Sequence, residues 1–130
     1  MENHRITPTM IHALQPNEIF VFGSNLQGIH AGGAARTARI MFGAEMGNGV
    51  GLQGQSYAIP TMQGGVETIR PYVDQFISYA EAHSKQHFLV TPIGCGIAGF
   101  SPEEIAPLFD KARHVENIYL PESFWDILNR

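Results

Sequence analysis

Ile19-Phe20-Val21-Phe22-Gly23-Ser24-Asn25, leading to Gly32-Gly33-Ala34-Ala35, passes from four consecutive apolar residues through a glycine-rich turn into a helical pattern. Phe88-Leu89-Val90-Thr91-Pro92-Ile93, leading to Gly94-Cys95-Gly96-Ile97-Ala98-Gly99, follows the same plan. Short uninterrupted runs of β-forming residues predict strands buried on both faces of a parallel sheet, with Ile19 to Phe22 central. Glycines let the backbone approach a ligand closely, and the unpaired amides opening the next helix offer donors and partial positive charge to an anion. Two such turns suit the two phosphates of a nucleotide.

Outward from these turns, strands alternate with helices. Ala34, Ala38, Met41 and Phe42 recur at helical spacing, predicting a helix from Gly33 to about Phe42. Ser56 to Thr61 reads as a strand that stops at Pro60. Ile69, Tyr72, Val73, Phe76, Ile77 and Ala80 give the strongest helix, with Thr68 as its cap and Pro71 in its first turn. Ser101-Pro102-Glu103-Glu104 has the residues of a capping box, opening a helix to roughly Arg113. Asn117 to Leu120 reads as a strand, and Pro121 opens a last short helix through Phe124, Trp125 and Leu128. Ile6 to His12 reads as an edge strand or arm. Gly43 to Gly54 holds five glycines, few side chains to bury, and is expected to be a mobile loop serving as a lid. The order implies one α/β domain over residues 1–130, with a mostly parallel mixed sheet between layers of helix. Ligands in such sheets sit at the carboxyl ends of the strands, the edge both glycine turns leave from.

Composition narrows the function classes. With 44% hydrophobic and 15% charged residues, the chain fits an ordinary globular protein. Eight Lys and Arg and a formal charge of -4 argue against an extended nucleic-acid surface but allow a small anionic ligand. One cysteine excludes an internal disulfide, no apolar run approaches a membrane span, and Met1 to Arg5 lacks a secretion signal's apolar run, so the cytoplasm is expected.

Each candidate group has a bland reading beside the functional one. Three glycines within Gly94 to Gly99 exceed what a tight turn requires, which favours phosphate binding, although neither turn matches the ATPase or dinucleotide fingerprints. Ser24 and Asn25 follow a buried strand, where a carboxamide either meets a ribose hydroxyl or water, or bonds its own turn. His30 is a candidate phosphate contact or general acid or base, against a solvated loop histidine. His4, His12, His83, His87 and His114 lack metal-ligand spacing with one another or with Cys95, so no metal is expected. Cys95 is a candidate nucleophile at a helix start, yet its flanking glycines do not form a nucleophile elbow, and a small residue behind the loop is the better account. Glu104 is explained as the partner of Ser101. Among Tyr57, Phe100 and Trp125, Phe100 is the best placed to stack on a ligand because it follows the glycine loop directly.

With these residues in view, the chain resembles the macrodomain superfamily, whose members bind ADP-ribose and related nucleotides on an α/β/α domain. Gly23 to Ala35, including Ser24, Asn25, Gly28, Gly32, Gly33 and Ala34, is similar to the family's asparagine-then-glycine loop, which contacts the distal ribose and diphosphate. Ile93 to Phe100, with Gly94, Cys95, Gly96, Ile97, Ala98, Gly99 and Phe100, is similar to its second phosphate loop. The likeness runs from about Ile19 to Leu120, and the strings at 22, 55 and 93 are similar to an uncharacterised bacterial and phage branch. It implies an ADP-ribose-like ligand, free or carried on an ADP-ribosylated macromolecule, with no cofactor. It leaves open hydrolysis of an ADP-ribosyl or phosphoester bond, using water positioned by Asn25 or His30. The departures are definite. No Asp occurs before Asp74 to select adenine, Met62 and Gln63 stand in the region of one branch's lysine, Ala98 replaces its aspartate, and Gly43 to Gln55 contains only Glu45 where the glycohydrolases pair glutamates. A cysteine-dependent hydrolase or transferase built on Cys95 and His30, and a module that binds no nucleotide, are the alternatives.

Overall fold

Alternation along β1 (Glu18–Ser24) decides the layering. Successive strand side chains point to opposite faces, so Ile19 and Val21 enter one core while Phe20 and Phe22 enter another. A computed structural model describes residues 5–130. The expectations for Met1 to His4, including that for His4, lie outside the described residues.

The sheet has the order β2-β3-β1-β4-β5, with β2 (Gly51–Gln53), β3 (Ser56–Pro60), β4 (His87–Val90) and β5 (Ile118–Tyr119) around the central β1. β3 and β4 run parallel to β1, and β5 runs parallel to β4, while β2 is antiparallel to β3. The protein is therefore a three-layer α/β/α fold on a mixed, mostly parallel sheet. α2 (Arg70–Glu81), α3 (Pro102–Ile105) and α4 (Glu122–Leu128) cover the larger core. There Phe76 meets Tyr57, Phe88 and Phe109 at centroid distances of 5.1, 5.6 and 6.4 Å. α1 (Gly33–Met41) covers the smaller core, setting Ala35 and Ala38 against the bulk of Phe20 and Phe22. Each fully buried Phe contributes about 2 kcal/mol of apolar transfer.

The arm reaches the far sheet edge, where Ile6 bridges Leu120 in parallel. Arg5 anchors it by donating to the carbonyls of Arg113, Val115 and Ile118, with its guanidinium 5.1 Å from the Trp125 ring centre. Trp125 Nε1 returns a bond to the Arg5 carbonyl at 2.8 Å.

Three local expectations are corrected. Gly43 to Gly54 contains β2 and is organised by a polar side chain: buried Gln53 accepts from the Glu45 amide at 2.8 Å and donates to the Asn48 carbonyl at 3.0 Å. Thr68 does not cap α2; it sits in a 3₁₀ turn, Val66–Thr68, and its hydroxyl donates to the Gly65 carbonyl. Ser101 and Glu104 do form the capping box, but α3 lasts one turn and is followed by 3₁₀ turns within Ala106–His114 that are broken by a kink at Phe109 (φ -98°, ψ 16°). Pro107 is the physical reason, since it has no N–H to give and its ring crowds the carbonyl four residues back.

Candidate functional site

The carboxyl ends of β1, β3 and β4 open on a cleft of about 450 Å³. The first glycine turn supplies one wall (Ala31 to Ala35) and the second supplies the other (Gly94, Gly96, Ile97 and Ala98), with Thr61, Met62, Thr91 and Pro92 between them. The two turns approach closely enough that a Cβ on Gly32 would lie 3.4 Å from Ile97 Cδ1.

The walls leave a defined set of backbone amides without a partner. Gly32 caps α1 without a side-chain bond, and the first bond of that helix runs from the Arg36 amide to the Gly32 carbonyl at 3.2 Å. The amides of Gly33, Ala34 and Ala35 therefore have no helical acceptor, as at any uncapped helix start. In the second turn, Cys95 donates to the Pro92 carbonyl, Gly99 to Gly96 and Phe100 to Gly94, at 3.2, 3.0 and 2.8 Å. The amides of Gly94, Gly96, Ile97 and Ala98 have no acceptor among the described residues. These four residues line the cleft and the other three do not.

No Asp, Glu, His, Lys, Arg or Cys lines the cleft among the described residues. Any attraction for an anion there would come from backbone amides and the α1 N-terminus. A second hollow, about 440 Å³, adjoins through Ala34, Thr91 and Pro92, and is bounded by the arm from Ile6 to Ile11 and by Pro121.

The singled-out side chains separate into two groups. Asn25 lines the cleft, but its carboxamide clasps one backbone position, donating to the Ile29 carbonyl at 3.0 Å and accepting from the Ile29 amide at 2.8 Å. One N–H and one acceptor site of that amide remain for a ligand. Ser24 is buried and donates to the Gly49 carbonyl. Gly28 lies outside the lining, pressed against Asn48.

His30 is neither solvated nor in the cleft lining. Its ring is fully buried, edge-on to Phe22 at 5.2 Å, with Nε2 3.0 Å from the Asn48 carbonyl. A carbonyl only accepts, so Nε2 carries the hydrogen and Nδ1 is left buried without a partner. The geometry makes His30 a clamp between the first turn and the 43–55 segment.

Cys95, Gly99 and Phe100 also lie outside the lining. Cys95 and Phe100 pack against the larger core. Burial, reinforced by Glu103 and Glu104, pushes the Cys95 thiol above its ordinary value. Less thiolate is then present at neutral pH than in a free cysteine, the opposite of an activated nucleophile. Alkylation of folded protein by iodoacetamide at neutral pH is expected to be slower than alkylation of the urea-unfolded chain; an equal or faster rate overturns that reading.

Thr61, Met62, Thr91 and Pro92 line the cleft although the sequence assigns them no ligand role; their signal is position, since each follows the carboxyl end of a parallel strand, where ligands bind in such sheets. Among the described residues, no three His, Cys, Asp or Glu gather as a metal site, and no helix is long and apolar enough to cross a membrane. No family model, curated protein or solved structure matches the chain.

Proposed function

We propose that this protein binds ADP-ribose or a related nucleoside diphosphate, with the diphosphate held between the two glycine turns. The observation that carries the reading is the set of seven unpaired amides, of Gly33, Ala34, Ala35, Gly94, Gly96, Ile97 and Ala98, on facing walls of one cleft. Backbone donors fixed in place at a helix start and a glycine turn suit phosphate oxygens, which accept several bonds each. The adjoining hollow gives the rest of a nucleotide room beside Ala34 and Pro92. The same group on an ADP-ribosylated macromolecule would enter the open cleft in the same way.

Binding with little turnover fits this lining better than hydrolysis. General acid–base chemistry needs a titratable group within reach of the reacting atoms. The cleft offers none among the described residues, so any attacking water would rely on the ligand's own phosphates and the free face of Asn25. The cysteine-dependent alternative has less support, because His30 is buried against Phe22 and Asn48 while Cys95 packs on the larger core.

Gly96→Glu tests the placement cleanly. A Cβ at Gly96 meets no atom within 4 Å, so the fold accepts the side chain while a carboxylate enters the phosphate wall. Calorimetric affinity for ADP-ribose is expected to fall at least tenfold; unchanged affinity in a folded variant rejects the site.

A further inference from the structure

Asn48-Gly49 is the chain's one Asn-Gly pair, and it lies where the 43–55 segment rests on the first glycine turn. In such a pair the glycine sets no Cβ between its own nitrogen and the preceding carboxamide. Gly49 is buried and its amide has no acceptor among the described residues, so no hydrogen bond holds that nitrogen away from the Asn48 side chain. The carboxamide is held at both ends. Oδ1 accepts from the Val50 amide at 3.4 Å, and Nδ2 donates to Glu45 Oε1 at 3.3 Å. The first contact sets a donor where negative charge would develop during attack on Cγ. The second sets a carboxylate on the nitrogen that would leave.

We propose that Asn48-Gly49 is a self-modification site, in which the Gly49 nitrogen attacks Asn48 Cγ with Val50 and Glu45 assisting and converts the pair to an isoaspartyl link. The N–Cγ bond forms as the Cγ–Nδ2 bond breaks, and Nδ2 departs as ammonia. The proton it gains is the one the Gly49 nitrogen loses, relayed by the Glu45 carboxylate. Water then adds to the former main-chain carbonyl of residue 48 and breaks its bond to the Gly49 nitrogen. A free carboxyl is left there, and the main chain runs through Cβ and Cγ. No oxidant or metal is consumed, and the chemistry is independent of the diphosphate site.

The product cannot keep the clamp on the first turn. The Asn48 carbonyl oxygen lies 3.0 Å from both His30 Nε2 and Gln53 Nε2, and the Gly49 carbonyl accepts from Ser24. Ring opening moves the first of these oxygens off the main chain and adds an atom to the backbone. The backbones of Asn48 and Gly49 lie too close to Gly28 and Asn25 to accommodate it.

The test incubates the full chain at neutral pH and follows residue 48 by peptide mass spectrometry, for the exchange of NH2 for OH, and by enzymatic methylation specific for isoaspartate. The folded chain is expected to form isoaspartate at 48 about tenfold faster than the urea-unfolded chain, because the assisting groups are in place only when folded. Glu45→Gln is expected to remove that advantage and leave the rate in urea unchanged. A folded chain that reacts no faster than the unfolded one overturns the proposal, as does full retention of the advantage by Glu45→Gln. The purified isoaspartyl form is expected to unfold at lower urea than Asn48→Asp, which carries the charge on an unlengthened backbone. Equal midpoints overturn the loss of the clamp.

Discussion

Gly28→Ala is expected to lower folding stability by about 3 kcal/mol, combining overpacking of about 1–3 kcal/mol with a left-handed backbone penalty of about 1–2 kcal/mol. Gly28 has φ +71°, and a Cβ there would lie 2.3 Å from the Asn48 nitrogen and 2.5 Å from the Gly47 carbonyl carbon. These obstacles are backbone, so no side-chain rotation relieves them. Across the same contact, a Cβ on Gly49 would lie 2.1 Å from the Asn25 carbonyl oxygen. The two chain segments are laid directly on one another and held by the Gly47 amide to the Gly28 carbonyl at 2.9 Å, by Ser24 and by His30.

Gly33→Ala separates the two contributions. Gly33 also has positive φ, +58°, but a Cβ there meets nothing within 4 Å. Its loss should be the backbone penalty alone, about 1–2 kcal/mol. Urea unfolding of the three proteins at 25 °C measures the difference. Equal losses for Gly28→Ala and Gly33→Ala would mean that the first turn is not packed on the 47–49 segment.

Asn117→Asp is expected to lower stability by about 4 kcal/mol at neutral pH. The Asn117 side chain is 8% exposed, and its Nδ2 lies 2.9, 3.0 and 3.0 Å from the carbonyls of Ala80, His83 and Gln86. It closes the carboxyl end of α2, whose last turn has no basic residue, and ties that end to the start of β4. A carboxylate at this position would turn acceptors toward acceptors and bury an unpaired charge, a change typically worth about 3–5 kcal/mol. Asn117→Leu, which removes the donors without adding charge, should lose about 2 kcal/mol.

The pH dependence distinguishes the two variants. The carboxyl of Asn117→Asp is held protonated more readily in the folded than in the unfolded chain, where carboxyls of this type titrate near about 3.9. Its deficit therefore grows as pH rises from that value through the higher folded one, and shrinks in acid as the carboxyl regains a donor. The Asn117→Leu deficit should not vary across that range. Parallel urea titrations at acidic and neutral pH decide the matter, and a pH-independent Asn117→Asp deficit would show that the carboxylate escapes to solvent.

Much of the scaffold was legible because its signals are local. Ile19 to Phe22 and Phe88 to Val90 are short apolar runs bounded by turn residues, and both became strands of the parallel core. Their glycine turns face one cleft because parallel strands release their loops at a common edge. What stayed hidden depends on residues distant in sequence. Five glycines gave no sign that buried Gln53 would bind Glu45 and Asn48 and create β2. The burial of His30 requires Phe22 and Asn48 around it. Within Gly94 to Phe100, composition cannot tell the amides spent inside the turn from those left without an acceptor.

The central place of β1 also governs when the protein acquires this cleft. Phe20 pairs across the sheet with Ser56 on one side and Leu89 on the other, both far along the chain. Loop-closure entropy makes such pairings slow, whereas the β2–β3 hairpin closes through neighbouring residues. The strand bearing the first glycine turn is thus made early and completed late. Folding rate and cleft formation should be limited by the same step, the docking of β4 beside β1, and a chain ending before Val90 would have one wall and nothing to face it.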